Sequence, residues 1–234
     1  MKLDRRTIIQ GALIAGTMGA CGIGVSWLAQ KASANTLLRP PGALKEQDFL
    51  ASCIKCGQCI QVCPFGSLKL IDLQGGINTA TPFIDPQVRG CYLCDLFPCI
   101  LCCPSGALDD KVEKIEEVSM GIAYVTDPGK CFNLSGTPVM ESDVNKIKSH
   151  GNRTELEQEL NQKLSKEIGH ACELCLVVCK VPDRDNAIKL EDKKPVIGRS
   201  CVGCGACQEV CPPQIIRIAP AVSFEEYYKD RGEL

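Results

Sequence analysis

The chain has 234 residues, with 26 basic against 28 acidic side chains, a hydrophobic fraction of 45% and 18 cysteines. The near balance of charge gives no support for a nucleic-acid partner. The apolar content excludes uniform disorder, and a single long apolar segment is too little for a polytopic membrane protein. Six Phe, four Tyr and one Trp make a thin apolar core, so we expect groups bound to cysteine to complete it.

The first 34 residues are predicted to form an export signal. Arg5 and Arg6 precede a soft apolar run over residues 8–29, which is the twin-arginine pattern. Ala32-Ser33-Ala34 is a small-x-small site for a signal peptidase. We therefore expect a mature protein that begins at Asn35 and lies in the periplasm. The alternative is an uncleaved anchor in the inner membrane, because the run is nearly long enough to span a bilayer.

Two identical cysteine motifs, C-x2-C-x2-C-x3-C-P, carry the main chemical signal. Group one is Cys53, Cys56, Cys59 and Cys63, and group four is Cys201, Cys204, Cys207 and Cys211. This spacing is the bacterial run that binds [4Fe–4S] clusters through thiolates. An exported chain rich in cysteine also suggests disulfides, but two copies of one exact spacing favour iron–sulfur clusters.

Two variant groups lie between these motifs. Group two is Cys91, Cys94, Cys99 and Cys103, with two extra residues in its loop, and group three is Cys172, Cys175 and Cys179. Group three lacks one ligand, and we expect Cys131 to supply it, with residues 132–171 as an insertion. Sixteen cysteines then serve four clusters, and zinc is the disfavoured alternative because zinc sites close with two C-x2-C pairs. Cys102 is surplus and is predicted to be a small buried side chain rather than a spare ligand.

Short alternating segments flank the groups and predict strands within residues 64–70, 104–108, 121–126, 186–190, 195–198 and 214–218. The sequence therefore predicts a loop-rich α+β fold with short strands and helices. In the insertion, Leu156, Leu160, Leu164 and Ile168 recur every four residues, as in an amphipathic helix. We expect this helix to pack on its own domain, with a partner-docking arm as the alternative, and we expect the insertion to be dispensable for cluster assembly.

These motifs resemble the NapG/MauM family of exported ferredoxin-type proteins. The resemblance rests on the twin-arginine signal, on Leu38-Arg39-Pro40-Pro41-Gly42-Ala43 and on all four cysteine groups, including the widened Cys94–Cys99 loop. It implies a duplicated bacterial two-cluster ferredoxin fold with two lobes and four [4Fe–4S] clusters. Residues 35–90 and 191–234 would form an outer lobe, and residues 91–190 would form an inner lobe.

In two-cluster ferredoxins the fourth cysteine of a run binds the cluster of the other run, and in related four-cluster proteins the outer groups pair, as do the inner ones. The resemblance therefore implies that groups one and four exchange their fourth cysteines, and that groups two and three do the same. The implied outer sets are Cys53, Cys56, Cys59 with Cys211 and Cys201, Cys204, Cys207 with Cys63. The implied inner sets are Cys91, Cys94, Cys99 with Cys179 and Cys131, Cys172, Cys175 with Cys103.

The residues point to one-electron transfer, since no His, Ser or carboxylate constellation has a spacing that suggests acid–base or nucleophilic catalysis. We expect an electron carrier rather than an enzyme. The resemblance implies a site on the outer face of the inner membrane, attached through a partner or an uncleaved signal. It also implies electron transfer from a membrane-embedded, NapH-like quinol dehydrogenase toward a periplasmic redox acceptor such as nitrate reductase. The alternatives are a MauM-like accessory ferredoxin for maturation of a periplasmic oxidoreductase and an iron–sulfur subunit of a molybdenum oxidoreductase.

Overall fold

The computed structural model describes residues 37–151 and 153–229. The predicted export signal and the expected N-terminus at Asn35 lie outside these residues. Within them, six short strands pair into three antiparallel two-stranded sheets, β1 with β2, β3 with β6 and β4 with β5. The strands are β1 (Leu68–Leu70), β2 (Pro82–Ile84), β3 (Gly121–Val125), β4 (Ile188–Glu191), β5 (Lys194–Ile197) and β6 (Ile216–Pro220).

The strands lie immediately before or after the cysteine groups. The β1–β2 pair connects group one to group two, and the β4–β5 hairpin connects group three to group four. Strand β3 precedes group three in the sequence, and strand β6 follows group four. The two strands pair in register from Gly121 with Pro220 to Val125 with Ile216. Most of the predicted strands are confirmed with shifts at their ends, although residues 186–187 close a helix before β4 begins. The strand predicted within residues 104–108 is wrong, because Leu108 forms only an isolated bridge with Ala43 there.

The described helices are short apart from one in the insertion. They are α1 (Glu46–Ser52), α2 (Gln58–Gln61), α3 (Pro98–Leu101), α4 (Phe132–Ser135), α5 (Glu141–Lys148), α6 (Glu155–Lys166), α7 (Leu174–Val177), α8 (Arg184–Ala187), α9 (Ala206–Val210) and α10 (Phe224–Lys229). Helices α2, α3, α7 and α9 each carry one cysteine of a ligand run, namely Cys59, Cys99, Cys175 and Cys207. No helix within residues 37–151 and 153–229 is long and apolar enough to cross a membrane.

The insertion packs on the body of the protein. Helix α6 begins at a capping box in which the Thr154 hydroxyl accepts a hydrogen bond from the Glu157 backbone N–H at 3.2 Å. Leu160 and Leu164 are buried with Val144 of α5. This core also includes Leu174, Val178 and Cys172 of group three. The predicted packing of the amphipathic stripe on its own domain is confirmed, whereas Leu156 stays partly exposed at the start of the helix.

The segment before group one is fastened to β2 by Arg39. Its buried guanidinium donates to Thr81 Oγ1 at 2.9 Å, to the Pro82 carbonyl at 2.8 Å and to both carboxylate oxygens of Glu46. Leu38 forms a β-bridge with Ile84, and Ala43 forms one with Leu108 beyond group two. Residues 38–43 therefore pair both with β2, which lies between groups one and two, and with the chain that follows group two.

Candidate metal centres

The first three cysteines of group one share a cavity with the last cysteine of group two. Cys53, Cys56, Cys59 and Cys103, here called set A, line about 360 Å³ of space not filled by protein atoms. Gly57 has φ 74° and caps the N-terminus of α2, which carries Cys59. Cys102 also lines this cavity and is half-buried. The expectation that Cys102 would be a buried packing residue is therefore wrong, because its side chain lies at the cavity wall.

A second cavity joins the remaining cysteine of group one to the first three of group two. Cys63, Cys91, Cys94 and Cys99, here called set B, line about 340 Å³. The two extra residues of the group-two loop are accommodated by positive φ angles at Leu96 (63°) and Phe97 (39°). Phe97 is buried and forms part of the cavity wall. The widened loop thus supplies an apolar cover for set B.

Group four and the last cysteine of group three form the third cavity. Cys179, Cys201, Cys204 and Cys207, here called set C, line about 360 Å³. Gly203 has φ 70°, and a Cβ at this position would lie 2.3 Å from the carbonyl carbon of Gly121. The ligand loop therefore needs glycine here because it passes directly over β3.

The remaining four cysteines also converge. The Cys175 thiol lies close enough to Cys172, Cys211 and Cys131 for each of their charges to raise its pKa. We call Cys131, Cys172, Cys175 and Cys211 set D. Cys131, Cys172 and Cys211 are buried, and the side-chain amide of Asn133 donates to the Cys172 carbonyl at 3.1 Å. The structure thus places Cys131 with the first two cysteines of group three.

The fourth member of every expected set is wrong. Cys103 lies with group one, Cys63 with group two, Cys179 with group four and Cys211 with group three. The exchange takes place between consecutive groups because the β1–β2 and β4–β5 pairs fold each group directly against the next. Strand pairing of β3 with β6 then returns Cys211 to the side of Cys131.

The thiols of these sets repel one another when charged. Burial, followed by the charges of Cys102 and the other group-one cysteines, raises the pKa of Cys59 to about 12. Burial and the charge of Cys63 raise the pKa of Cys99 to about 12, and burial also raises the pKa of Cys204 to about 12. Four thiolates in such a cavity need a positive partner, and iron bound to them supplies it.

Cys103 differs from these thiols because its surroundings favour the thiolate. Burial acts to raise the pKa of Cys103, but backbone N–H groups of Leu108, Ser105 and Ala107 and the Ser105 hydroxyl lower it below the ordinary value. Hydrogen bonds from backbone N–H groups to sulfur are a recurring feature of iron–sulfur sites. In set B, the Ser67 backbone N–H makes a comparable contact of 3.4 Å to Cys63 Sγ.

The donor chemistry fits iron–sulfur clusters. Each set presents four thiols, and three of the sets line a common cavity each. In the described residues no three His, Cys, Asp or Glu side chains converge closely enough to hold a single metal ion. All 17 described cysteines are free thiols. A cube of iron and sulfide takes four thiolate ligands, which is the number that each set presents.

The four sets lie next to each other in a series. Charge on Cys59 of set A raises the pKa of Cys99 of set B. Charge on Cys204 of set C raises the pKa of Cys91 of set B. The Cys91 backbone N–H also donates to the Cys204 carbonyl at 2.8 Å. Charge on Cys175 of set D raises the pKa of Cys207 of set C. The order of neighbours is therefore A, B, C and D.

Comparison with known proteins agrees with these motifs. Residues 50–69 match the family model of the 4Fe-4S binding domain. The ferredoxin-type protein NapG of Escherichia coli (strain K12) is 30% identical over 98% of this chain and 88% of its own length. The chain belongs to the NapG/MauM family of ferredoxin-type proteins. Ferredoxin-type proteins are electron carriers and not enzymes, so this family member is an iron–sulfur protein of electron transfer.

Two MauM relatives are also similar over most of the chain. The methylamine utilization ferredoxin-type protein MauM of Paracoccus denitrificans is 36% identical over 74% of this chain and 66% of its own length. MauM of Methylorubrum extorquens is 30% identical over 88% of this chain and 83% of its own length. No solved structure matches the chain. The family resemblance expected from the sequence is confirmed.

One element near the sites was not anticipated from the sequence. Arg89 is buried between Glu209, whose Oε1 accepts from it at 3.1 Å, and Glu157 of the insertion, at 3.4 Å. The neighbouring Gly90 N–H donates to Glu209 Oε2 at 2.7 Å. Arg89, Glu157 and Glu209 are far apart in the sequence, so no local pattern signals that they meet.

Proposed function

We propose that this protein transfers single electrons through four [4Fe–4S] clusters held by sets A to D. A bound cluster of this type takes up and releases one electron at a time. The observation that carries the proposal is the unbroken series of thiol neighbours from Cys59 to Cys99, from Cys91 to Cys204 and from Cys207 to Cys175. This series gives electrons a continuous route through the described part of the protein.

We infer two lobes, each a two-cluster ferredoxin unit. Residues 37–120 hold sets A and B, and residues 121–229 hold sets C and D. This division replaces the lobes expected from the sequence, and it is supported by the exchange of fourth cysteines between consecutive groups. In both units a two-stranded hairpin separates the two ligand runs. Between the units, the Cys91 backbone N–H of set B donates to the Cys204 carbonyl of set C at 2.8 Å.

Set A is the end of the series at which electrons enter or leave. Among the 17 described cysteines, Cys56 is the one that is exposed. Ile54, which lines this cavity, is 63% exposed. Electron transfer between proteins requires close approach to a cofactor, so an accessible thiol marks the place where a partner can dock.

The partners follow from the family. We propose that the chain lies on the periplasmic side of the inner membrane, exported by its twin-arginine signal, and receives electrons from a membrane-embedded quinol dehydrogenase. Its acceptor is then a periplasmic reductase such as nitrate reductase. The similarity to NapG over 98% of this chain supports the proposed donor and acceptor. Because thiolate-bound clusters add negative charge, a basic docking surface on the partner suits this protein.

The test combines iron analysis with quinol-driven reduction. The exported protein, purified without oxygen, should contain about sixteen irons per chain. Inner-membrane vesicles supplied with menaquinol should bleach its visible cluster absorption, whereas vesicles without quinol should not. Absence of bleaching with fully loaded protein would exclude the quinol route, and substantially fewer irons would exclude four clusters.

The second candidate is a MauM-like accessory role in the maturation of a periplasmic oxidoreductase. It is favoured by the 36% identity with MauM of Paracoccus denitrificans. Deletion of the gene separates the two functions. If the client oxidoreductase isolated from the deletion strain lacks its mature cofactor, the accessory role is correct. If it is mature and active with an artificial donor but receives no electrons in cells, the electron-transfer role is correct.

A further inference from the structure

The cavity lined by set A, here called cavity A, contains one more cysteine than the four that a [4Fe–4S] cluster needs as ligands. Its wall includes Cys53, Cys56, Cys59, Cys102 and Cys103, whereas the described walls of the other two cavities hold four cysteines each. Cys102 is the C-terminal cap of α3 and directly precedes Cys103. Its side chain is half-buried, so it lies between the cavity and solvent.

The Cys102 thiol faces the same space as the set A thiols. It lines the cavity wall together with Cys56, Cys59 and Cys103. Cys102 Sγ makes a single weak hydrogen bond of 3.4 Å to the Cys99 carbonyl. Ligation of iron by Cys102 would replace this weak bond.

We propose that Cys102 is an alternative fourth ligand of the cluster in cavity A and binds iron when Cys103 is lost as a ligand. In the resting arrangement Cys103 Sγ lies 3.7 Å from the Ser105 hydroxyl oxygen, whereas Cys102 Sγ donates to the Cys99 carbonyl. On exchange, Cys102 would lose its proton to solvent and bind as a thiolate, and the displaced Cys103 thiolate would take up a proton. No electron is transferred in this step.

The position of Cys102 at cavity A explains why a reserve ligand is useful there. Cavity A is the site with the exposed cysteine, Cys56, so water and oxidants reach it more readily than the other sets. Exposed clusters lose iron or a ligand more readily than buried ones, because susceptibility of a thiolate follows its accessibility. A second thiol at the same wall allows the cluster to keep four ligands there.

The test compares alanine variants, since alanine cannot bind iron as serine can. It rests on the proposed cluster at set A, and the parent protein must therefore first show about sixteen irons. Cys103→Ala should retain about sixteen irons, with one changed cluster signal in electron paramagnetic resonance of the reduced protein. Cys102→Ala should match the parent. The double variant Cys102→Ala/Cys103→Ala should lose the cube at set A and keep about twelve irons in three intact cubes.

Cys63→Ala is the matched control, because set B has no fifth cysteine on its described wall. It should lose its intact cube although it removes the equivalent fourth ligand. Loss of the same cube from Cys103→Ala as from the double variant would overturn the proposal. Retention of four cubes by the double variant would also overturn it, because a ligand other than Cys102 would then replace Cys103. Fewer than four cubes in the parent would instead contradict the proposed function.

Discussion

At the scale of single residues, the buried Arg89 cation is the most consequential contact outside the ligands. Its guanidinium meets Glu157 of the insertion and Glu209 of α9, and its Nε donates to the Phe65 carbonyl behind group one at 3.1 Å. Burial raises the pKa of Glu209, and the positive charge of Arg89 opposes that rise. One side chain thereby joins both ligand-bearing halves to the insertion.

We predict that Arg89→Leu lowers the free energy of unfolding by about 3–5 kcal/mol, because it leaves two buried carboxylates without their cation. The deficit should shrink from about pH 8 to about pH 5, since Glu209 in the variant folds more easily when protonated. Anaerobic denaturant titration of the loaded protein measures both effects. Arg199→Ala, which removes an exposed pair with Glu225, should change stability by less than about 1 kcal/mol. Equal stability of Arg89→Leu and the parent would contradict the role of this contact.

A second prediction at this scale concerns two glycines with the same backbone angle. Gly203 and Gly136 both have φ 70°, but a Cβ would collide with the Gly121 backbone at Gly203 and meets nothing within 4 Å at Gly136. Gly203→Ala should therefore displace the set C loop and reduce the iron content to about twelve per chain. Gly136→Ala carries only the backbone strain of about 1 kcal/mol and should keep about sixteen irons. Equal iron in both variants would show that the close approach to β3 is unimportant.

At the scale of elements, the insertion is part of the structure that surrounds set D. Val139, Val144 and Leu164 share a core with Leu174 and Cys172. Residues 138 and 171 form a β-bridge, and the His170 carbonyl accepts from the Val139 N–H at 3.0 Å. The expectation that the insertion is dispensable for cluster assembly therefore gives way to the opposite prediction.

Replacement of residues 132–171 by a few Gly and Ser residues should lower the iron content, because it uncovers Cys172 and removes Glu157 from Arg89. Iron per chain, measured on protein purified without oxygen, checks this prediction. Unchanged iron would restore the expectation from the sequence.

Two single substitutions in α6 test whether the helix contributes to stability through its packing. Leu164→Ala removes a fully buried side chain and should cost about 2–5 kcal/mol of unfolding free energy. Leu156→Ala lies on the same predicted stripe but is 37% exposed, and it should cost far less. A similar cost for both leucines would mean that α6 does not pack as the structure shows.

At the scale of the whole molecule, consecutive groups exchange their fourth cysteines. This pairing makes each half of the chain self-sufficient in ligands and leaves a single junction, near Cys91 and Cys204, between sets B and C. The exchange expected from the sequence would instead have divided the ligands of each cluster between the two halves of the chain.

Single substitutions distinguish these arrangements. Cys179→Ala should remove the cube that Cys201, Cys204 and Cys207 hold, and Cys211→Ala should remove the cube on Cys131, Cys172 and Cys175. Each variant should retain the two cubes of sets A and B, which we expect spectroscopy of the reduced protein to show with unchanged signals. Altered signals from set A in Cys211→Ala would support the arrangement expected from the sequence and contradict the structure.

The cysteine chemistry could be predicted from the sequence alone, because the C-x2-C-x2-C-x3-C-P spacing defines a ligand loop that forms within a few residues. Most of the short strands and the buried face of α6 could be predicted as well, since they follow from local alternation and periodicity. The fold was needed to show which group donates the fourth cysteine, that Cys102 shares cavity A, and that Arg89 meets Glu157 and Glu209. These contacts join residues far apart in the chain, and strand pairing and burial bring them together where no local pattern can.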